Sequence, residues 1–233
     1  MQRLALEGLV IVGSILLAFA LDAWWEARAQ AEQTDELVAA LIEEFDETAA
    51  AFERTELRNS QVIAAADTLL DLIRGASAEV RVDPGILASL VLYPTTDPPR
   101  GTVDAVLSSG NLSLIPSQGL RSLLAGWPAA LADIGEEEAD ARSFVHDQLI
   151  PHLGQATQLG PVFAVRIERF VSLSSSQSPE TSARRPQIQL RVSHELVSLV
   201  ETRRYLSEAI LVNRPPAHAH VENLRSGLRE IRE

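Results

Sequence analysis

The first apolar feature of the chain is the uncharged run Leu9–Leu21. Shorter apolar stretches extend it to Leu4–Trp25, and a helix over this span would rise about 33 Å. That length matches the roughly 30 Å hydrocarbon core of a bilayer. The pattern therefore predicts one N-terminal transmembrane anchor over residues 1–30, followed by a domain over residues 31–233.

A signal peptide is the alternative for this segment, because the uncharged run alone is only as long as a signal-peptide core. Cleavage sites of the A-x-A type occur at Ala27–Ala29 and Ala29–Ala31. Two tryptophans and two acidic residues before these sites make cleavage unfavourable, so we favour the anchor. Trp24 and Trp25 would then lie in the aromatic belt, with Arg28 among the headgroups.

Small residues within the anchor would let another helix approach closely. Ser14 and Ala18 form a small-xxx-small pair, and Glu7 would either pair with Arg3 or act within the membrane. The predicted membrane and partner contacts are Glu7, Gly8, Gly13, Ser14, Ala18, Trp24 and Trp25. Basic residues flank both ends of the anchor, so charge does not determine the orientation of the anchor in the membrane. Because the N-terminus before the anchor is short, we expect it in the cytoplasm and the domain outside.

Beyond the anchor the apolar positions recur in steps of three and four from Leu37 to Ile73. This period predicts an amphipathic helix that ends before Gly75. The helix either continues unbroken from the anchor or starts anew near residues 33–35, where Thr34 or Asp35 would cap it. The rest of the chain shows the same helical period, and no β-hairpin signal appears, so we predict an all-α fold.

Capping residues and prolines predict where the later helices begin and end. Pro128 would end or kink one helix, and Pro215-Pro216 would end another. Val162–Leu173 fits a strand or a helix, and the serine-rich residues 172–186 predict a surface loop. The expected helix starts are Asp83-Pro84, Thr102, Ser117, Ala129, Ser193 and Val221.

The composition excludes several kinds of chemistry. There is no cysteine, and all 20 basic residues are arginine, which rules out disulfides, thiolate metal sites and lysine-based catalysis. The net charge of −12 argues against nucleic acid as a partner. Residues 22–150 hold 23 acidic residues and eight arginines, whereas residues 184–233 are slightly basic. We expect these two parts to pack together, with an acidic partner as the alternative.

No catalytic, metal or cofactor site is predicted. The closest metal pair is His218 and His220, which lacks the spacing of a helical metal site. Ser108–Asn111 could pass for a nucleophile turn, but Gly110 fits the left-handed end of a helix better. Residues 136–140 contain four acidic side chains, which we expect on a solvated helix face. His146 and His152 are the residues to test if the protein is an enzyme.

Two segments carry a resemblance to a known family. Glu7–Arg28 (EGLVIVGSILLAFALDAWWEAR) and Thr102–Ile115 (TVDAVLSSGNLSLI) resemble a family of uncharacterised bacterial single-pass membrane proteins. This chain departs from the family in its tryptophan doublet and its arginine-only basic set. The resemblance implies an anchor in the bacterial inner membrane and an all-helical periplasmic domain, and it implies no reaction.

The function predicted from these features is that of a non-catalytic accessory subunit. It would anchor in the bilayer and stabilise a larger bacterial membrane complex, for example a respiratory or photosynthetic assembly. The alternative is a membrane-anchored sensor whose long helix passes ligand binding to a cytoplasmic partner. An enzyme is the third hypothesis and has no motif in its favour.

Overall fold

The computed structural model describes residues 2–76, 78–174 and 186–232, with side chains from residue 13 onward except 170–174. Within this part the chain is almost entirely helical, which confirms the all-α class. The α-helices are α1 (Gln2–Arg74), α2 (Pro84–Leu90), α3 (Gly101–Ser109), α4 (Gln118–Phe144), α5 (Ile150–Ala156), α6 (Leu159–Ser174), α7 (His194–Asn213) and α8 (Pro215–Arg232). A 3-10 turn covers Asn111–Leu114 and a π-helix covers Val145–Leu149.

Helix α1 is continuous over 73 residues, so the predicted anchor and the first amphipathic helix form one element. No new helix starts near residue 34, because the Thr34 hydroxyl donates to the carbonyl of Gln30 at 2.9 Å and does not cap a helix. The helix ends at Arg74, next to Gly75, as the sequence predicts. Neither glycine nor proline occurs between residues 14 and 74, which is why nothing interrupts the backbone hydrogen bonds.

The chain divides into two compact units, each assembled from separate segments. The first unit comprises Met1–Glu47, Pro99–Gly126 and Val221–Glu233. Its buried apolar residues come from α1, α3, the turn before α4, α4 and α8. They are Val38, Leu41, Phe45, Val103, Val106, Ile115, Leu120, Leu124, Val221, Leu224 and Leu228.

The second unit comprises Thr48–Pro98 and Trp127–His220. Its main core lies among α1, α2, the π-helix, α5, α6 and α7, around Leu69, Leu87, Leu149 and Val200. The apolar period that runs from Leu37 to Ile73 therefore supplies buried side chains to both units, each along its own stretch of α1.

A two-stranded antiparallel sheet in the second unit was not predicted. Strands β1 (Glu79–Val82) and β2 (Ile188–Arg191) pair in register from Glu79 opposite Arg191 to Val82 opposite Ile188. Each strand has four residues, and more than a hundred residues separate them in the chain. Strands this short, with no turn directly joining them, produce no hairpin pattern in the sequence.

Several predicted helix boundaries are confirmed. The Asp83 carboxylate accepts from the backbone N–H of Gly85 at 2.7 Å and begins α2. The Ser193 hydroxyl accepts from the N–H of Leu196 at 3.0 Å and begins α7. Gly110 has φ +77°, so Ser108–Asn111 is a helix C-terminus and not a nucleophile turn.

Other boundaries are wrong. Thr102 does not cap α3, which begins at Gly101 and has no side-chain cap from its own N-cap residue. Pro128 does not end a helix but lies inside α4, so no new helix starts at Ala129. Helix α8 begins at Pro215, not Val221, since proline is well tolerated in a first turn. Val162–Leu173 is helical, and residues 175–185 of the expected loop lie outside the described residues.

The expected packing of the basic C-terminal part against the acidic part is confirmed inside each unit. In the first unit Asp46 accepts from the guanidinium groups of Arg225 and Arg229, each at 2.7 Å. In the second unit Arg204 donates to Asp67 at 2.7 Å. The uneven charge along the sequence is thus partly paired within the folded chain.

Candidate functional site

The most unusual surface of the first unit is a helical segment that nothing covers. Residues 13–33 of α1 are all exposed, and we call residues 13–25 the exposed apolar segment. Large apolar side chains in it are at least half exposed. They are Ile15, Leu16, Leu17, Phe19, Leu21, Trp24 and Trp25.

The apolar side chains of this segment surround the helix. Consecutive residues are rotated by about 100°, so Ile15, Leu16 and Leu17 point in three directions. A helix that is apolar all round is typical of burial in a large core or in lipid, whereas a one-faced stripe is typical of docking on a single partner. The segment therefore has the all-round apolar distribution of a helix that is buried in a large core or in lipid, not the one-faced stripe of a docking helix.

Aromatic and then charged side chains follow one another at the C-terminal end of the exposed apolar segment. The rings of Trp24 and Trp25 lie 6.0 Å apart at 58° to each other. One turn further on, Arg28 pairs with Glu32 at 3.1 Å, and both side chains are largely exposed. Aromatic residues followed by charged ones are the usual sequence of side chains at a membrane–water interface.

The structure places the predicted contact residues as follows. Gly13, Ser14, Ala18, Trp24 and Trp25 are exposed on the segment, and a Cβ added at Gly13 would meet no atom within 4 Å. Glu7 and Gly8 are among the residues whose side chains the structure does not describe.

Among the residues whose side chains are described, no helix is long and apolar enough to span a membrane. The predicted transmembrane span starts at Leu4, and the side chains of its residues 4–12 are not among those that the structure describes.

A buried polar network in the second unit was missed by the sequence analysis. Glu138 is only 4% exposed, so the expectation that residues 136–140 form a solvated face is wrong at this position. Its carboxylate accepts from Arg214 at 2.9 Å and from the hydroxyl and N–H of Thr96 at 2.7 and 2.8 Å. Arg214 also donates to the Thr96 hydroxyl at 2.7 Å and lies over the Phe52 ring.

A second buried charge, Arg203, occupies the core-facing side of α7. Its guanidinium donates to the carbonyls of Leu90 at 3.0 Å and Leu92 at 2.6 Å, and to the Ser207 hydroxyl at 2.9 Å. Burial lowers the pKa of Arg203 to about 10, so the side chain stays charged at neutral pH. It closes the C-terminal end of α2, whose last carbonyls have no helical partner.

A carboxylate takes the place of the missing cap on α3. Glu44 of α1 is buried and accepts from the backbone N–H groups of Thr102 at 2.6 Å and Val103 at 3.1 Å. A negative charge at a helix N-terminus satisfies orphan donors and interacts favourably with the helix dipole. The residue that caps α3 is thus 58 positions away in the chain.

His218 and His220, the closest metal pair in the sequence, lie against different side chains. His218 pairs with Glu56 and lies edge-on against Phe52 at 5.1 Å, whereas His220 faces the Trp127 ring at 5.7 Å. In the described part of the chain, no three histidine or acidic side chains converge as metal ligands would. The two histidines of the predicted closest pair therefore have separate partners.

The other two histidines named as candidates have different surroundings. The His146 ring packs on Tyr93 at 4.9 Å. The Nε2 atom of His152 lies 3.2 Å from the Ser193 hydroxyl, and its Nδ1 atom lies 3.5 Å from the carboxylate of Glu195. This serine–histidine–glutamate arrangement joins residues from α5 and the start of α7.

Open cavities among the described residues of the second unit include the following two. One of about 310 Å³ has an apolar floor that includes Ile134 and Ala217 and acidic walls from Asp133 and Glu137. The other, of about 480 Å³, lies between the end of α5 and the sheet and has a mostly polar lining. Its lining residues are Glu79, Gln155, Ala156, Thr157, Gln158, Gln187, Ile188, Gln189 and Arg191.

Comparisons with protein-family models, curated proteins and solved structures gave no significant match. The resemblance of Glu7–Arg28 and Thr102–Ile115 to a family of bacterial membrane proteins therefore stays a prediction.

Proposed function

We propose that this protein is an accessory subunit held in a membrane by the N-terminal part of α1, where it stabilises a larger bacterial membrane complex. The observation that carries the proposal is the exposed apolar segment, whose side chains are apolar around the whole helix. Leaving them in water would cost about 25 cal/mol for each Å² of apolar surface. A lipid environment removes that cost.

The same segment supports a contact with other subunits. Gly13, Ser14 and Ala18 lie within it, and small residues allow the backbones of two membrane helices to approach closely. The assembly role requires no reaction. A respiratory or photosynthetic complex of the inner membrane would be a suitable host, with the N-terminus in the cytoplasm and the rest of the chain in the periplasm.

The test is co-purification in mild detergent through a C-terminal tag on the full chain. Replacing Trp24 and Trp25 with alanine removes two interfacial aromatic anchors, and we expect weaker retention in the membrane fraction and loss of co-purifying subunits. The matched control is Tyr205→Ala with Val212→Ala, since those side chains are 65% and 68% exposed but lie on α7. Migration of the wild-type protein as a detergent-bound monomer alone would contradict the proposal.

One observation favours the sensor as a second candidate. Helix α1 continues without interruption from residue 2 to residue 74, so a rotation of its N-terminal part would be transmitted along the helix. A sensor also needs a ligand, and the 480 Å³ polar cavity is large enough for a small molecule. A thermal-shift screen with sugars and amino acids should raise the unfolding temperature if this candidate is right, and no shift with any of them would count against it.

A further inference from the structure

We propose that Ser193, His152 and Glu195 form a nucleophilic serine site that hydrolyses esters. The distances are 3.2 Å between the Ser193 hydroxyl and His152 Nε2, and 3.5 Å between His152 Nδ1 and a Glu195 carboxylate oxygen. This order of contacts, nucleophile to base to orienting carboxylate, defines the machinery of serine hydrolases on unrelated folds. The proposal is independent of membrane anchoring.

The histidine is placed to act as the base. Its side chain is 14% exposed, so most of the ring is shielded, while Glu195 is 74% exposed at the rim. A carboxylate beside Nδ1 favours the tautomer that carries its proton there. The other nitrogen, Nε2, is then free of a proton and accepts from the Ser193 hydroxyl.

The position of Ser193 at the start of α7 favours attack by its oxygen. The hydroxyl oxygen accepts from the N–H of Leu196 at 3.0 Å and still has a second lone pair. The next two backbone N–H groups, of His194 and Glu195, have no intrahelical acceptor in a helix of this geometry. They and the positive end of the 20-residue helix would stabilise the negative oxygen formed during the reaction.

The polar cavity is lined by residues that flank this cluster in the chain. Gln155 lies one helical turn after His152, and Arg191 ends β2 two residues before Ser193. Gln158, Gln187 and the other side-chain amides of the lining are suited to hydroxyl groups, because an amide offers both donors and an acceptor. The substrate class is therefore an ester of a hydroxyl-rich alcohol, such as an O-acetylated sugar.

The reaction proceeds in two balanced steps. The Ser193 oxygen attacks the ester carbonyl, its proton passes to His152 Nε2, and the alcohol leaves with that proton as the acyl–serine bond forms. Water then attacks the acyl group and gives a proton to Nε2, and that proton returns to the Ser193 oxygen as the carboxylic acid departs. No oxidant, metal or further reactant is needed.

The experiment uses the full chain in detergent with p-nitrophenyl acetate as substrate and a fluorophosphonate as covalent probe. Ser193→Asn is the informative variant, because asparagine also caps helices well but has no nucleophilic oxygen. We expect wild-type hydrolysis and fluorophosphonate labelling of Ser193. In Ser193→Asn both should fall to the level without protein while the unfolding midpoint is unchanged.

Two further variants separate catalysis from structure. His152→Gln should lower the hydrolysis rate by about 10²–10⁴-fold, the usual loss when a general base is removed. Ser198→Ala and His146→Gln, exposed neighbours on α7 and in the π-helix, are matched controls and should leave the rate as in wild type. If the wild type is inactive and unlabelled, or if Ser193→Asn hydrolyses as fast as wild type, the proposal is wrong.

Discussion

At the scale of single residues, the least expected feature is the number of charges that the interior of each unit holds. Glu44, Glu138, Arg203 and Arg214 are all less than 10% exposed. Burying a charge is unfavourable unless hydrogen bonds and opposite charges surround it. Each of these four makes hydrogen bonds inside its unit, and Glu138 and Arg214 also pair with each other, which is why the fold tolerates them.

The buried pair of Glu138 and Arg214 gives a direct test at this scale. Glu138→Ala leaves the Arg214 cation buried without its carboxylate, and we expect a loss of about 3–5 kcal/mol in the free energy of unfolding. Glu136→Ala, two residues earlier on the same helix and exposed, is the control and should change it by about 0.5 kcal/mol or less. Urea unfolding of both variants measures the difference, and equal midpoints would contradict the assignment.

A pH-dependent contribution is expected at Asp46. Burial alone would raise the pKa of its carboxyl, but the hydrogen bonds and charges of Arg225 and Arg229 outweigh it and lower the pKa below 3.8. A carboxyl group whose pKa is lower in the folded state than in the unfolded state stabilises the fold at any pH above its unfolded-state pKa. That contribution is lost as the pH falls through the folded-state pKa.

The measurement for Asp46 compares wild type with Asp46→Asn in urea at several pH values. The wild type should be the more stable at pH 7, and its advantage should begin to shrink as the pH falls below about 4 and be lost as the pH falls through the lowered pKa of Asp46. An advantage that stays constant from pH 7 down to pH 2 would show that the ion pairs are not its source.

At the scale of helices and strands, the sequence predicts boundaries correctly where the capping group is local. Asp83 and Ser193 lie next to the helices they cap, and a rule about neighbouring residues finds them. The N-terminus of α3 is capped by Glu44, which belongs to another helix, so no local pattern indicates it.

The two candidate sites also differ in whether a local sequence pattern predicts them. The exposed apolar segment is one continuous stretch, and its composition alone predicts it. The cluster of His152 and Ser193 joins residues 41 positions apart, and only the packing of α5 beside the start of α7 brings them together. Arg203 was missed because a polar residue at a core position breaks the apolar period of α7.

Two helical glycines test the packing, Gly227 in the first unit and Gly135 in the second. A Cβ on Gly227 of α8 would lie 2.6 Å from the side chain of Leu120, whereas one on Gly135 of α4 would meet nothing. We expect Gly227→Ala to destabilise the protein by about 1–3 kcal/mol, because Leu120 must move. Gly135→Ala should stabilise it by about 0.5–1 kcal/mol through helix propensity.

Thermal unfolding of the two glycine variants provides the check. The unfolding temperatures should move in opposite directions from wild type. A Gly227→Ala variant as stable as Gly135→Ala would mean that α8 does not pack on α4 as closely as described.

At the scale of the whole molecule, the two units depend on parts of the chain that are far apart. The first unit takes residues from both ends of the sequence and from its middle. Truncations at the two ends should therefore change the urea midpoint by different amounts, although both remove helical residues.

Residues 13–30 are all exposed, so a truncation after residue 30 deletes no buried side chain among the described residues, and we expect the urea midpoint to stay unchanged. Removing α8 from Val221 onward deletes three buried residues, Val221, Leu224 and Leu228. At about 1.5–3 kcal/mol each, that loss is roughly 5–9 kcal/mol, as large as the stability of many domains. Unchanged midpoints for both truncations would contradict the described core of the first unit.

The discontinuous first unit also determines when the protein can fold during its synthesis. Ribosomes add residues in chain order, so Leu41 and Phe45 emerge well before α8, whose residues complete the first unit's core. Throughout that interval their apolar faces are open to solvent, and such surfaces are prone to aggregate. We therefore expect the nascent chain to require a chaperone that covers the apolar face around Leu41 and Phe45 until α8 has emerged.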